Sequence, residues 1–271
     1  MFSNTIHYVM RPYWKHIYNH PFNQALYEGS LSIHCFYDFL EQDKLYLRQF
    51  AKSLQCVSER TTNNHHRHIL MQLSTDAFNT QQKLHDKYLL MTNHLKFFPS
   101  AKQSSIRTNV AVTNYIHYIY HTAQNEPIPV AIASLLPCFY IYSSIGFHMN
   151  QKGVTSQNPY QLWISSYSNQ TFLTSTQLMF NILNELAITE TDTFCLKSIK
   201  QAFVKSVNFE IAFWDSIYNR AAYNPMFKKL LTNCNGIIIN RDSGVPNVVV
   251  FPNQSLETNN NFHSNSLLTS T

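Results

Sequence analysis

The chain has 271 residues and a formal net charge of +5, and 44% of its residues are hydrophobic. This length fits one large domain or two small ones, and the apolar content is sufficient for a sizeable core. The charge is mild and no run of lysine and arginine is present, so we expect no nucleic-acid partner. With 5 glycines, tight turns are few, which favours long helices over a β-sandwich or β-barrel.

The cysteines and the apolar segments indicate the compartment. The N-terminus has no charged start followed by an apolar core, so no secretory signal is predicted. The longest apolar run, Val130 to Tyr142, is too short to span a bilayer. We therefore expect a cytoplasmic protein that has no membrane partner and keeps its thiols reduced. The odd number of cysteines, none in a Cys-x-x-Cys pair, agrees with this: Cys35, Cys56, Cys138, Cys195 and Cys234.

Apolar residues at steps of three and four predict about seven helices and no strand before residue 232. The first predicted helix begins near Ser32, a suitable N-cap, and continues to residue 54. The helix over 128–149 is apolar on most sides, so we expect it at the centre of the core. The other predicted helices cover 66–94, 108–123, a short segment after Pro159, 172–186 and 193–223.

The composition changes near residue 232, where Asn, Ser and Thr become frequent. The segments GIIIN and NVVVF, separated by RDSGVP, predict a β-hairpin. The last fifteen residues are predicted to be disordered. We therefore expect a helical domain over residues 1–231 and a C-terminal extension over 232–271.

Metal and phosphate motifs are absent from the sequence. There is no glycine-rich phosphate loop, no G-x-S-x-G and no H-E-x-x-H. The E-x-x-H pattern that a di-iron carboxylate bundle needs is also missing. His65 and His68 have a spacing at which both can touch one metal, but this polar segment is more typical of a solvated helix end. The sequence therefore predicts no metal site.

Two carboxylates fall on apolar helix faces. Asp43 is followed on its face by Leu47 and Phe50, so it either pairs with a buried base or serves a pocket. Burial of Glu210 should raise its pKa, which suits proton transfer or binding of a basic heterocycle. The alternative is a structural glutamate that tyrosine hydroxyls satisfy. The face of Glu210 carries Phe203, Val207, Phe213 and Trp214.

A cysteine and several aromatic residues form a third candidate group. Cys138 and Tyr142 are four residues apart and share a helix face, and Tyr160, Trp163 and Tyr167 form a second face. Free cysteines and aromatic stripes are most often core residues. The alternative is a slot for a flat ring, lined by the thiol, the two acids and the tyrosine hydroxyls.

Five segments, in this order, resemble the thiaminase II family, also called TenA-like proteins, over residues 5–223: HPFNQALYEGSLS, YDFLEQDKLYLRQFA, LLPCFYIY, YQLWISSYSNQTF and FEIAFWDSIY. The resemblance implies an all-α bundle of the haem-oxygenase-like type, a homotetramer, and no metal or organic cofactor. It also implies hydrolysis of the bond between an aminopyrimidine methylene and its leaving group. That group is ammonia in thiamine salvage, or the thiazolium of thiamine.

The same resemblance implies roles for single residues. Cys138 corresponds to the nucleophile that adds to the pyrimidine ring, which places the chain with the cysteine-containing branch of the family. Glu210 corresponds to the acid that binds the amidine edge of the ring and transfers protons, and Asp43 to the carboxylate that orients the substrate. The implied substrate-binding tyrosines of the pocket are Tyr46, Tyr142 and Tyr167.

One position departs from the pattern. In NVAVTNYIHY, Val112 stands where the family has the tyrosine of an A-Y-T-x-Y motif, and Tyr115 compensates only partly for the lost hydroxyl. Two hypotheses therefore stay open: an active aminopyrimidine hydrolase, and a non-catalytic protein on the same fold that binds a pyrimidine or thiamine or acts as a regulator. A third, haem or di-iron oxidation, is disfavoured by the missing E-x-x-H.

Overall fold

The computed structural model describes residues 1–93, 109–189, 192–223, 238–240 and 247–249. The described part is all-α apart from two three-residue strands, which confirms the predicted fold class. Seven of its helices correspond to the predicted ones, but the predicted number is wrong because two N-terminal helices were missed. The helices are α1 Phe2–Tyr18, α2 Pro21–Glu28, α3 Ile33–Arg60, α4 Asn64–Asn93, α5 Val110–Asn125, α6 Ile128–Gln151, α7 Gln161–Ser168, α8 Gln170–Thr189 and α9 Thr193–Tyr223.

Each of the two missed helices departs from the usual helix pattern at one point. α1 contains Pro12 in its interior, a residue that normally interrupts a helix. α2 begins at Pro21, and its cap is an imidazole: Nδ1 of His20 accepts a 3.2 Å hydrogen bond from the backbone N–H of Phe22. α2 ends at Gly29, whose φ of +74° is open to glycine but strained for other residues.

α6 is the central helix, as predicted. It packs against α3, α5, α7 and α8, and most of its residues are buried. Among the described helices, α6 is long and apolar enough to cross a membrane, since it extends beyond the run 130–142. However, 78% of its most apolar window is buried inside the bundle, which is typical of the core helix of a soluble protein.

A close contact between two helices sets the position of α7. Gly146 on α6 is buried, and a Cβ at this residue would lie 2.9 Å from the carbonyl carbon of Tyr167 and 3.0 Å from the backbone nitrogen of Ser168. Only glycine allows the two backbones to approach this closely. Because Gly146 has no side chain, the backbone of Tyr167 can lie directly against the central helix.

The C-terminal part forms a separate unit. Contacts group the chain into Met1–Ala222 and Tyr223–Thr271. In the second unit, strands β1 Ile238–Asn240 and β2 Asn247–Val249 pair antiparallel, at the segments for which the sequence predicts a hairpin. The expected domain boundary between 231 and 232, and the predicted disorder of the last fifteen residues, lie outside the described residues.

Candidate active site

One pocket in the helical unit, which we call the inner pocket, combines residues from α3, α4, α6, α7 and α8. Its volume is about 50 Å³. Four of the six predicted site residues line it: Asp43, Cys138, Tyr142 and Tyr167. Phe139 and Phe172 complete an aromatic wall, with ring centroids 5.9 Å apart. The sequence pattern that placed a thiol, an acid and tyrosines together is therefore reproduced in space.

Asp43 faces the inner pocket from α3. Its residue surface is 7% exposed, and it forms no ion pair with any described residue. Burial raises the pKa of its carboxyl to about 7, because the charged form is poorly solvated there. Of the two interpretations that the sequence left open, the pocket is the one observed.

Cys138 lies in the middle of α6 and is almost completely buried. Burial raises the pKa of its thiol well above the ordinary value, and the carboxyl groups of Glu210 and Asp43 raise it further. The neighbouring hydroxyl of Tyr46 acts in the opposite direction. The thiol consequently holds its proton at neutral pH and needs a base, or a nearby positive charge, to become a thiolate.

Glu210 is fully buried on α9, behind the inner pocket rather than on its wall. The hydroxyl of Tyr115 donates a 2.9 Å hydrogen bond to its Oε1, whereas its buried Oε2 has no hydrogen-bond partner among the described residues. Burial raises the pKa of the carboxyl to about 8, and the bond from Tyr115 opposes this. Glu210 is therefore half satisfied by a tyrosine, and one of its oxygens remains available.

The three predicted tyrosines occupy different depths. The rings of Tyr142 and Tyr167 contact each other on the wall of the inner pocket, with centroids 5.0 Å apart. Tyr46 lies deeper and stacks on Tyr115 at 4.8 Å. Its buried hydroxyl forms no hydrogen bond of good geometry with a described residue, but it lies near enough to Cys138 and Glu210 to lower the pKa of both groups. The hydroxyl of Tyr142 lies close enough to Glu210 to lower the pKa of its carboxyl. Tyr142 thus connects the inner pocket with the buried acid.

Sequence reasoning missed part of the site. It identified Tyr115 only as a partial substitute for a lost hydroxyl, whereas the structure shows it bonded to Glu210. It also missed the wall that α4 and α8 supply, which includes Asp76 and Ser175. No periodic pattern marks those two residues, since both lie on polar stretches of their helices. Val112 is buried on α5 and offers no hydrogen-bonding side chain.

The histidine-rich segment does not belong to this site. His65 and His68 are exposed on the first turns of α4, while His66 between them is buried and pairs with Glu185, Nε2 to Oε2 at 2.7 Å. Across the described ranges, no group of three His, Cys, Asp or Glu residues is placed to hold a metal ion.

Known sequences match most of the chain. The family described as TENA/THI-4/PQQC matches residues 7–220. The aminopyrimidine aminohydrolase of Halalkalibacterium halodurans is 26% identical over 226 residues, which are 82% of this chain and 98% of the relative. The aminopyrimidine aminohydrolase of Bacillus subtilis is 23% identical over 86% of this chain and 96% of its own length.

Solved structures match the helical bundle. A TenA homologue from P. horikoshii superposes with a TM-score of 0.68 at 22% identity, covering 81% of this chain and 99% of that chain. A domain of unknown function with a heme oxygenase-like fold, from Shewanella denitrificans, gives a TM-score of 0.64 at 12% identity, covering 84% and 95%. These likenesses confirm the haem-oxygenase-like bundle that the sequence predicts.

Proposed function

The chain belongs to the TENA/THI-4/PQQC family, and we propose that it acts there as an aminopyrimidine aminohydrolase. Its substrate would be an aminomethyl-pyrimidine that forms when thiamine degrades, and its products hydroxymethyl-pyrimidine and ammonia. Thiamine itself would be a second substrate. The observation that carries the proposal is the grouping of Asp43 and Cys138 on one aromatic pocket, with the fully buried Glu210 directly behind it.

The aromatic walls suit a flat ring. Tyr142, Tyr167 and Phe172 offer ring faces on which a pyrimidine can stack. Stacking does not require the pyrimidine to be neutral or protonated. Glu210 keeps its proton near neutral pH, because burial raises its pKa to about 8. It can therefore donate that proton to a basic ring nitrogen and stabilise the resulting cation as a carboxylate. The hydroxyl of Tyr142, beside both Glu210 and the pocket, is the proposed route for the proton.

The proposed chemistry is covalent and needs no cofactor. Asp43 accepts the thiol proton of Cys138, and the sulfur adds to a carbon of the protonated ring, whose π electrons move to the ring nitrogen. The electron pair then returns through the ring and expels the leaving group with the C–N bonding pair, which leaves a double bond at the methylene; ammonia leaves after taking a proton from Asp43. Water adds its oxygen to the methylene as the electrons of that double bond move back into the ring, and its proton passes to Asp43. The C–S bond then breaks with its electron pair on sulfur, Asp43 returns the proton to restore the thiol, and the ring nitrogen returns its proton to Glu210.

Asp43 is suited to the role of base. Its pKa of about 7 lies near the working pH, where proton transfer in both directions costs least. Formation of a ring cation beside Cys138 would also lower the pKa of the thiol, since an opposite charge favours the thiolate. Ring protonation and thiol activation are therefore coupled in this proposal.

A second candidate is a non-catalytic protein that binds a pyrimidine or thiamine. The observation in its favour is the buried Val112, which supplies no hydroxyl where the family pattern has a tyrosine. In this candidate the pocket, its acids and its stacking surfaces would bind the ring, and no bond would be broken.

Turnover separates the two candidates. Purified protein is incubated with aminomethyl-pyrimidine and ammonia is measured, while calorimetry with hydroxymethyl-pyrimidine measures binding. Ammonia release that disappears in Cys138→Ala supports the enzyme. Binding without ammonia release supports the second candidate. If the protein shows neither binding nor ammonia release, the assignment of the inner pocket as a pyrimidine site is contradicted.

The cytoplasmic location and the homotetramer belong to the same proposal. They are supported by the five segments that resemble thiaminase II. Light scattering of the purified chain at several concentrations tests the tetramer: a mass of one or two chains would contradict it.

A further inference from the structure

A buried histidine connects the start of α2 with α9. His20 is 2% exposed. Its Nδ1 accepts the 3.2 Å hydrogen bond from the backbone N–H of Phe22, and its Nε2 lies 3.2 Å from Oδ1 of Asp215 on α9. The ring also contacts the indole of Trp214, with centroids 5.6 Å apart. One imidazole therefore joins two helices through two hydrogen bonds and a ring contact.

The two hydrogen bonds determine which ring nitrogen of His20 carries the proton. A backbone N–H can only donate, so Nδ1 must present a lone pair to Phe22. The ring proton therefore lies on Nε2, which donates it to the carboxylate of Asp215. A second proton would have to bind at Nδ1. The ring could then no longer accept the hydrogen bond that caps α2.

The groups around His20 act on its second proton in opposite directions. Burial lowers the pKa of the ring below its ordinary value of 6.5. Asp215 on α9 raises this pKa, but its side chain is 56% exposed and solvent screens its charge. His16, on the last turn of α1, lowers the pKa of His20 again. His20 is consequently neutral at neutral pH and gains its second proton below pH 6.5.

Trp214 connects His20 with the inner pocket. Its indole is fully buried and meets the ring of Tyr142 edge-on, with centroids 5.9 Å apart. Tyr142 lines the inner pocket, and its hydroxyl lies beside the carboxyl of Glu210. Trp214 itself lies one turn after Glu210 on α9. A shift of Trp214 would therefore move a residue of the pocket wall and the buried acid together.

His20 also supports α9 beyond Glu210. Other hydrogen bonds that join α9 to neighbouring helices lie at Ala202, Ser206 and Glu210. In the described part of the chain, the bond from His20 to Asp215 is the one nearest the C-terminal end of α9. Glu210 thus lies between anchored positions, and without the bond at Asp215 its helix is held from one side only.

We propose that His20 is a positioning residue: in its neutral form it holds α9, and through Trp214 it holds Tyr142 and Glu210, in the arrangement that turnover needs. A second proton on His20 breaks the cap of α2 and removes this support, so acid lowers the rate through a group outside the pocket. His20 does not touch the substrate in this account. The inference rests on the proposed function, because it assumes that Glu210 and Tyr142 take part in turnover.

The test compares ammonia release by wild type and His20→Asn between about pH 5 and pH 8. Asparagine is a good N-cap that can accept the hydrogen bond from Phe22, and it does not titrate. At the upper pH we expect kcat of His20→Asn to be lower on the order of tenfold, with little change in KM. The ratio of the two rates should approach one at the lower pH, because acid removes the same support from the wild type.

His66 gives the matched control. It is also buried, and its Nε2 pairs with a half-exposed carboxylate, Oε2 of Glu185, at 2.7 Å. This pair joins α4 to α8, and His66 does not line the inner pocket. The rate of His66→Asn should keep a constant ratio to the wild-type rate at every pH. A constant ratio for His20→Asn as well, or equal rates of His20→Asn and wild type, would overturn the positioning role while the proposed function stands.

Tryptophan fluorescence over the same pH range needs no substrate. We expect a transition below pH 6.5 in wild type and His66→Asn that is missing in His20→Asn, because the ring of His20 touches Trp214. A transition of the same size in all three proteins would contradict the response of His20 to acid. If the wild type releases no ammonia, the proposed function fails and the positioning role with it, while the fluorescence still decides whether His20 responds to acid.

Discussion

The hydroxyl of Tyr115 on α5 donates a 2.9 Å hydrogen bond to Oε1 of Glu210 on α9. Both side chains are buried, so the bond is shielded from water. It stabilises the carboxylate and thus lowers the pKa of Glu210, whereas burial raises that pKa to about 8. The bond also occupies one oxygen, while the other, Oε2, has no hydrogen-bond partner in the described part of the chain. Tyr115 therefore sets both the acidity and the orientation of the buried acid.

Replacing Tyr115 by phenylalanine tests this positioning role. Without the donor, the charged form of Glu210 is less stable, so its pKa rises further. In the pH profile of ammonia release we expect the limb that reports Glu210 to move by about one pH unit to higher pH. We also expect kcat to fall on the order of tenfold, because the carboxyl loses a fixed orientation. Steady-state rates across the pH range measure both effects.

Tyr118 gives the matched control for this substitution. It lies one turn further along α5, and its hydroxyl donates a 3.2 Å hydrogen bond to the backbone carbonyl of Ala202 on α9. Tyr118→Phe removes a bond between the same two helices and should cost a similar stability, but it should not move the pH profile. A shift of the same size in both variants would mean that Tyr115 acts through the packing of the helices alone.

A second prediction concerns stability and pH. Folded Glu210 keeps its proton up to about pH 8, whereas the ordinary pKa is 4.5. Within this window the folded state binds more protons than the unfolded state, so the free energy of unfolding falls as pH rises. The glutamine in Glu210→Gln has no charge at any pH, so this variant does not show this fall in the free energy of unfolding. Its stability relative to the wild type should rise by up to about 1.4 kcal/mol per pH unit.

Urea unfolding at several pH values between 4.5 and about 8 measures the difference in the free energy of unfolding between Glu210→Gln and the wild type. Glu59→Gln, an exposed position on α3, provides the control and should show a nearly constant difference from the wild type. A constant difference for Glu210→Gln as well would mean that the buried carboxyl is already ionised in the folded protein at neutral pH.

A third prediction follows from the contact between α6 and α7. In a helix, alanine is favoured over glycine by about 1 kcal/mol, but overpacking costs typically 1–3 kcal/mol. The atoms that a Cβ at Gly146 would meet belong to the backbone of residues 164–168 and cannot turn aside. We therefore expect Gly146→Ala to lower the free energy of unfolding and, by displacing Tyr167, to reduce kcat/KM.

Ser144, half-buried on the same helix, is the control for this change, since Ser144→Ala also introduces a good helix former. Denaturant unfolding and ammonia-release kinetics on both variants give the comparison. If Gly146→Ala is as stable and as active as Ser144→Ala, then the close approach of α7 has no importance for the pocket.

Periodicity alone does not decide which helices the sequence predicts. α1 and α2 are more strongly amphipathic than the central helix α6, yet they are not predicted, because α1 contains Pro12 in its interior and α2 has only eight residues. The site residues fall into two groups: those on one helix can be predicted from their spacing, and those on different helices cannot. Cys138 and Tyr142 share a face because they are four residues apart on one helix. The pairing of Tyr115 with Glu210 joins residues 95 positions apart and depends on how α5 packs against α9.

The most direct test of the account is the rate of ammonia release from aminomethyl-pyrimidine, measured side by side for wild type, Cys138→Ala and Cys35→Ala. Cys35 is also buried, but it does not line the inner pocket, and burial raises the pKa of its thiol to about 12. We predict a loss on the order of 10³-fold or more for Cys138→Ala and a rate near wild type for Cys35→Ala. Equal rates in all three proteins would contradict the proposal that Cys138 is the nucleophile.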